Sequence, residues 1–387
     1  MEHPFPLVTL QPVSDSRNAW VALSLGVTPP DDFTVARIFG EFGLAAALGP
    51  LPCIVSPVDA RVLADALPPD RAVFRLPVAR CCDPAQDDAL HQMKAQGFRL
   101  MADGLPEAGR HLSDAVHAFA LRCPAHGLHA GMAAWLKRLP GPHLAIGPVP
   151  SECPQACPLH WFTGPACSAV QSHVPAKSID APSRLLLLEL LAKVANDADS
   201  HEIETIIKRD PQLSYHLLKL VNSVGFALTT KITSFNQAIT LLGRRQLQRW
   251  LQLLLYAHTR DGDKANPLLP RAAMRAGLTE ALCQASGGTH EMYDRAFMAG
   301  MFSLLDQLFG MPIDEIVGPL NLADDVYAAL TRHSGRLGTL LQAVAAAEGA
   351  DAEELAARLA EAGIDNETWA RSLVSACHWA VQVSCEA

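Results

Sequence analysis

The sequence predicts a chain in two parts: an α/β part with a parallel sheet, then an all-α part. Three observations carry this expectation. Of the 28 prolines, 23 lie at or before Pro182 and five after it. Interior proline breaks a helical ladder, so long helices are confined to the second part. Residues 7–180 read as short apolar runs alternating with helical stretches, the order that builds βα units. Beyond Pro182, apolar residues recur at helical spacing with little interruption. At 387 residues the chain also exceeds the usual size of one core. The expected domains are 1–175 and 183–387, with a linker over 172–182.

Each element has a local cause. Leu7–Leu10 and Trp20–Leu25 are strand-like, with aromatic or β-branched residues bounded by Pro, Ser and Asp. Thr34–Leu48 fits a helix, Cys53–Ser56 a short apolar strand and Val58–Leu67 a helix. Ala72–Leu76 reads as a strand, Asp83–Gln96 as a helix stopped by Gly97, and Phe98–Ala102 as another strand. After the linker, helices are expected at 183–196, 200–209, 211–224, 234–242, 244–258 and 270–285. More follow at 291–309, 313–317, 324–333, 336–348, 353–362 and 367–383.

The strongest local signal is Asp210-Pro-Gln-Leu-Ser-Tyr-His-Leu-Leu-Lys-Leu-Val-Asn-Ser-Val-Gly225. Asp210 caps a helix, and Pro211 occupies the first helical position, where its missing N–H costs nothing. Asn222 and Ser223 read as hydrogen-bonding residues at the helix end, where Asn tolerates the left-handed turn. Ser234 with Gln237 forms a capping box opening a helix that runs to Gly243. This pattern, with Ala299-Gly-Met-Phe-Ser-Leu-Leu-Asp-Gln-Leu-Phe-Gly310 and Asp325-Val-Tyr-Ala-Ala-Leu330, resembles the HDOD family over 183–387. The resemblance implies an all-helical relative of the HD phosphohydrolases that has lost their metal ligands and serves bacterial signalling. No His-Asp dipeptide occurs in the chain, and Ser303-Leu304 stands at the corresponding position. Leu304 cannot ligate a metal.

The first part is similar, more weakly, to a shortened EAL domain, a TIM-barrel-like fold that hydrolyses cyclic di-GMP in its active members. The anchors are Leu10-Gln-Pro-Val-Ser-Asp15, Lys94-Ala-Gln-Gly-Phe-Arg-Leu-Met-Ala-Asp-Gly104 and His160-Trp-Phe-Thr-Gly-Pro165. A full (β/α)8 unit takes about 250 residues, so a reduced or open barrel is expected. The resemblance implies carboxylates holding two metal ions. Val21 falls where the signature Glu should be, Phe74-Arg-Leu-Pro77 replaces an acidic motif, and Ala102-Asp103-Gly104 keeps one carboxylate. The literal Glu280-Ala281-Leu282 lies in the helical part and reads as helix composition.

Acidic residues exceed basic ones in both parts, 16 against 13 up to Pro182 and 24 against 18 beyond it. That balance argues against a non-specific nucleic-acid binder. The start of the chain lacks a signal-peptide pattern, and Leu185–Leu191 is too short to span a bilayer. A cytoplasmic protein with neither DNA nor membrane as partner is therefore expected. Cys153, Cys157, Cys167 and His160 are the one cluster with any zinc character, but no second closely spaced pair accompanies them. The ten cysteines read as reduced thiols.

Arg244, Arg245 and Arg249 form the one basic cluster, read either as a phosphate or nucleotide contact or docking patch for an acidic partner, or as a solvated helix face pairing with nearby Asp or Glu. With both catalytic constellations incomplete, the expected function is a non-catalytic signalling scaffold without metal or cofactor, working through signalling-protein partners. The first alternative is a non-hydrolysing receptor for a cyclic dinucleotide, with Arg75, Arg99 and Asp103 lining one pocket. The second is a residual metal-dependent phosphodiesterase.

Overall fold

Eight strands close into a barrel in sequence order. They are β1 (Leu7–Ser14), β2 (Trp20–Thr28), β3 (Cys53–Val55), β4 (Ala72–Pro77), β5 (Arg99–Asp103), β6 (Ala118–Arg122), β7 (Leu144–Ile146) and β8 (Trp161–Thr163). The computed structural model describes residues 4–107, 109–122, 130–147, 159–163, 266–320, 322–349 and 351–386, with Lys193, Arg249, Gln252, Leu253 and Tyr256. Pairing is parallel from β2 round to β8, whereas β1 runs antiparallel to both its neighbours. The expectation of an open barrel is corrected. Closure within so short a chain is reached by cutting β3, β7 and β8 to three residues each.

Strand alternation sends one residue in two inward. Val13, Ala22, Ile54, Val73, Met101, Ala118, Ala120, Leu144 and Trp161 fill the interior as one cluster. The small residues on β2 and β6 leave room for Trp161 and Met101, so side chains rather than water occupy the centre. On the outer face, Phe74 stacks on Phe98 with ring centroids 4.6 Å apart.

The helices between strands are shorter than their sequence signals suggest. Thr34–Leu48 divides into Asp32–Phe39 and Leu44–Ala47, because Gly43 takes the left-handed conformation at φ +81°. Asp31 caps the first of these, accepting from the backbone N–H groups of Phe33 and Thr34. Asp83–Gln96 begins as a 3-10 turn at Pro84–Gln86 before the helix Asp87–Ala95. Strands β6 and β7 and the helix Ala130–Leu136 were not expected, whereas β8 falls within His160–Pro165, the stretch that resembles a closing strand.

The remaining described elements are helical. Leu268–Ala285 and His290–Phe302 pack closely at Gly300, where an added Cβ would stand 2.5 Å from the Arg275 carbonyl oxygen and 2.6 Å from the Ala276 Cα. The expected helix 291–309 breaks at Ser303 and resumes as Leu305–Phe309, with Gly310 at φ +64° as its stop. Further helices are Ile313–Val317, Asp324–Arg332, Gly335–Ala346, Ala352–Ala362 and Asn366–Glu386. Among the described residues, no single helix is long and apolar enough to cross a membrane.

By proximity the chain falls into two units. One comprises Met1–His173, Ala346–Ala360 and Ile364–Val374; the other comprises Val174–Ala345, Glu361–Gly363 and Ser375–Ala387. Two C-terminal stretches thus belong with the barrel, although their sequence reads only as continued helix.

Candidate functional site

The residue two places beyond each interior side chain lies on the same strand face, one step nearer the carboxyl end. From β3 to β8 these positions are Ser56, Arg75, Asp103, Arg122, Ile146 and Thr163. Parallel barrels place their chemistry at this rim. Arg122 lies opposite Ile146 and Ile146 opposite Thr163, while Arg75 lies opposite Met101 and Asp103 opposite Ala120. The Arg75 Nε donates to the Ser56 hydroxyl at 3.0 Å and stands 3.7 Å from the Asp103 carboxylate. Arg122 is exposed, whereas Thr163 is only 3% exposed and its hydroxyl has no partner among the described residues. The Arg75 guanidinium faces the Asp103 carboxylate, and with Arg122 exposed at the end of β6 the rim is suited to an anion with hydrogen-bond acceptors.

Beside the rim, a groove lies on the segments following β3 and β4, lined by Val58, Asp59, Arg61, Ala79, Arg80, Asp83 and Gln86. The Arg80 Nη1 donates to the Val58 carbonyl at 3.3 Å, which joins the two segments.

Arg99 does not share this site. It begins β5, four residues and about 13 Å of strand away from Asp103. There its guanidinium lies 5.9 Å from the centre of the Trp161 ring, and burial lowers its pKa. The same end of the barrel holds His117 and His143. His143 accepts from the Phe119 N–H at Nδ1 (3.1 Å) and meets the Leu136 carbonyl at Nε2 (2.7 Å), which fits a neutral ring. Burial pushes its pKa down. Burial first, and then the Arg99 charge, bring His117 down to about 4.

The metal pair implied by an EAL-type barrel does not fit the residues present. Val21 packs on the apolar interior cluster, Arg75 is a cation, and Asp103 is engaged with it. Among the described residues no group of three or more His, Cys, Asp or Glu could hold a metal ion. His160 Nδ1 lies 3.4 Å from the His143 backbone N–H, while Cys153, Cys157 and Cys167 lie outside the described residues.

In the helical part, Ser303 donates to the Gly300 carbonyl at 2.7 Å and accepts from Arg275 Nη1 at 3.0 Å. Leu304 is completely buried. The two residues at the His-Asp position therefore serve packing and a helix end. Arg249 pairs with Glu280 and, at 3.4 Å, with Asp294, and its guanidinium lies 4.4 Å from the centre of the Phe297 ring. That is the neutralised reading of this arginine. It also gives Glu280 of the Glu-Ala-Leu tripeptide a structural task. Arg244, Arg245, Asp210, Pro211, Asn222, Ser223 and Gly243 lie outside the described residues.

Sequence reasoning singled out Arg75 and Asp103 as candidates but not Ser56, Arg122 or Thr163. The missed signal was strand alternation in Ala118–Arg122, a run too short to stand out before the barrel set its register.

Comparison with known proteins gives the helical part its relationship. Residues 185–362 match the HDOD domain family. The cyclic di-GMP phosphodiesterase CdgJ of Vibrio cholerae is 31% identical over 209 residues, covering 53% of this chain and 47% of the relative. The uncharacterized protein YuxH of Bacillus subtilis is 34% identical over 160 residues, 40% of this chain and 38% of its own. Each match thus spans less than half of the relative's length. A solved structure from Shewanella amazonensis SB2B, provisionally assigned as a phosphohydrolase, is 17% identical with a TM-score of 0.38, covering 52% of this chain and 92% of its own. The expectation that the chain is no enzyme is corrected by these findings, because the 31% identical relative bears a phosphodiesterase name. What the match establishes is an HDOD domain over residues 185–362.

Proposed function

We propose that this chain acts in cyclic di-GMP signalling, with the barrel rim as the surface that meets the dinucleotide. The observation that carries the reading is the ring Ser56, Arg75, Asp103, Arg122 and Thr163. Two arginines on separate strands suit the two phosphates of a cyclic dinucleotide, and hydroxyl groups at either side suit their oxygens. The EAL-like reading of the barrel rests on the resembling segments Leu10–Asp15, Lys94–Gly104 and His160–Pro165, which lie on or beside β1, β5 and β8. In this reading the HDOD domain engages a signalling-protein partner, and Arg244 and Arg245 are proposed as contacts.

The relative's name favours a second reading, in which the dinucleotide is also hydrolysed. Asp103, the carboxylate in the ring, is then the residue to test.

Calorimetric titration of the full chain with cyclic di-GMP, with and without Mg or Mn, tests the first reading. Charge-assisted hydrogen bonds contribute about 1.5–3 kcal/mol each. Arg75→Ala or Arg122→Ala should therefore each weaken binding by roughly tenfold or more. Unchanged affinity in the double variant would sink the assignment of the rim. For the second reading, product analysis by chromatography should show linear dinucleotide formed by the parent chain and lost in Asp103→Asn. Equal turnover in both would move the chemistry elsewhere.

A further inference from the structure

The barrel's first strand is held from outside by the chain's far end. Strand β1 pairs with β2 along its whole length, but with β8 only at Val13 and Ser14. Among the described residues no strand covers the edge of its outer half, and an open edge is a liability in any sheet. Residues 346–374 contain the groups that meet it. The Trp369 indole N–H donates to the Val8 carbonyl at 2.7 Å, and the Trp369 side chain is fully buried. Asn366 Nδ2 donates to the Phe5 carbonyl at 2.8 Å, and Gln11 Nε2 donates to the Gly349 carbonyl at 3.3 Å.

A closed ring of charge secures the same region. Arg37 pairs with Glu41 (2.9 Å) and Glu367 (3.1 Å), while Arg371 pairs with Glu41 (2.7 Å) and Glu367 (2.9 Å). Signs alternate round the ring, so each charge has two opposite neighbours. Both guanidinium groups also lie over Phe42, at 5.4 and 4.0 Å from its ring centre, and Phe42 stacks on Phe5. Asp365 opens the C-terminal helix, accepting from the Thr368 N–H at 2.8 Å. The cap aims the first turns of that helix, which carry Asn366, Glu367, Trp369 and Arg371, at β1 and the helix Asp32–Phe39.

We infer that the C-terminal stretch 346–374, whose contact residues Asn366, Glu367, Trp369 and Arg371 lie beyond the HDOD match, is a strap that locks β1 into the barrel. The barrel is thereby discontinuous in sequence, and its closure depends on residues about 360 positions away from β1. This inference does not depend on what the rim binds.

Hydrogen–deuterium exchange on the full chain without nucleotide tests it. Trp369→Phe keeps most of the ring volume but removes the N–H, leaving the Val8 carbonyl unmet. It should speed exchange in β1 by roughly five- to tenfold, while the paired strands β5 and β6 change less. Should that variant fold poorly, Arg371→Gln, in the half-exposed charge ring, should show the same preference for β1 in milder form. Trp379→Phe, in the same helix but grouped with the other unit, should leave β1 protection as it is. The inference is overturned if β1 protection survives both strap changes, if β5 and β6 lose protection equally, or if Trp379→Phe affects β1 as strongly.

Discussion

Arg249→Ala should destabilise the helical unit rather than leave it intact. The arginine stands between Glu280 and Asp294 and over the Phe297 ring. Its side chain is 18% exposed, that of Glu280 22% and that of Asp294 40%. Breaking a fully buried pair costs about 3–5 kcal/mol, because the remaining charge is stranded in a poor solvent. Here water still reaches both carboxylates, which reduces that cost to about 2 kcal/mol. Loss of the contact with the Phe297 ring adds about 0.5–1 kcal/mol. A domain of this size shifts by about 2–4 °C per kcal/mol, so a fall of about 5–10 °C is expected. Thermal unfolding followed by circular dichroism measures the shift, and exchange in Leu268–Ala285 localises it. Arg249→Lys should recover only part of the loss, since an ammonium cannot hold two carboxylates in a plane or stack on the ring. An unchanged melting temperature in Arg249→Ala would refute the reasoning and free Arg249 for a role at a docking surface.

Two further outcomes follow from packing and titration. Gly300→Ala should destabilise the helical unit by about 3 kcal/mol or more, since its Cβ would enter the backbone at Ala276; a melting curve like the parent's would show that the helices can separate freely. His117 has a folded pKa near 4 against an ordinary 6.5, so the unfolded chain binds the extra proton between those values. Barrel stability should accordingly be full above pH 6.5 and decline as pH falls towards 4, by about 3 kcal/mol at most. Replacing His117 with Gln should flatten that part of the stability–pH curve; an identical slope in the variant would assign it to other groups.

The sequence by itself determined the order of elements as far as β5, the split in proline usage and the HDOD motif, because each rests on local chemistry. Caps, stops and apolar spacing act within a turn or two, and Gly97 ends its helix in the structure as its neighbours in sequence imply. That Val21 and Arg75 are not carboxylates was equally legible, since a side-chain type needs no coordinates to be seen.

Tertiary structure alone decided the rest. A three-residue strand such as Leu144–Ile146 carries too little periodicity to declare itself, and only closure of the barrel fixes which side chains face inward. That closure sets Arg122 and Thr163 at the same strand ends as Arg75 and separates Arg99 from Asp103 on one strand. Trp369 reads in sequence as one more apolar position on a helix. Its task is set by an uncovered edge at the opposite end of the chain, and no local pattern encodes a contact across 361 residues.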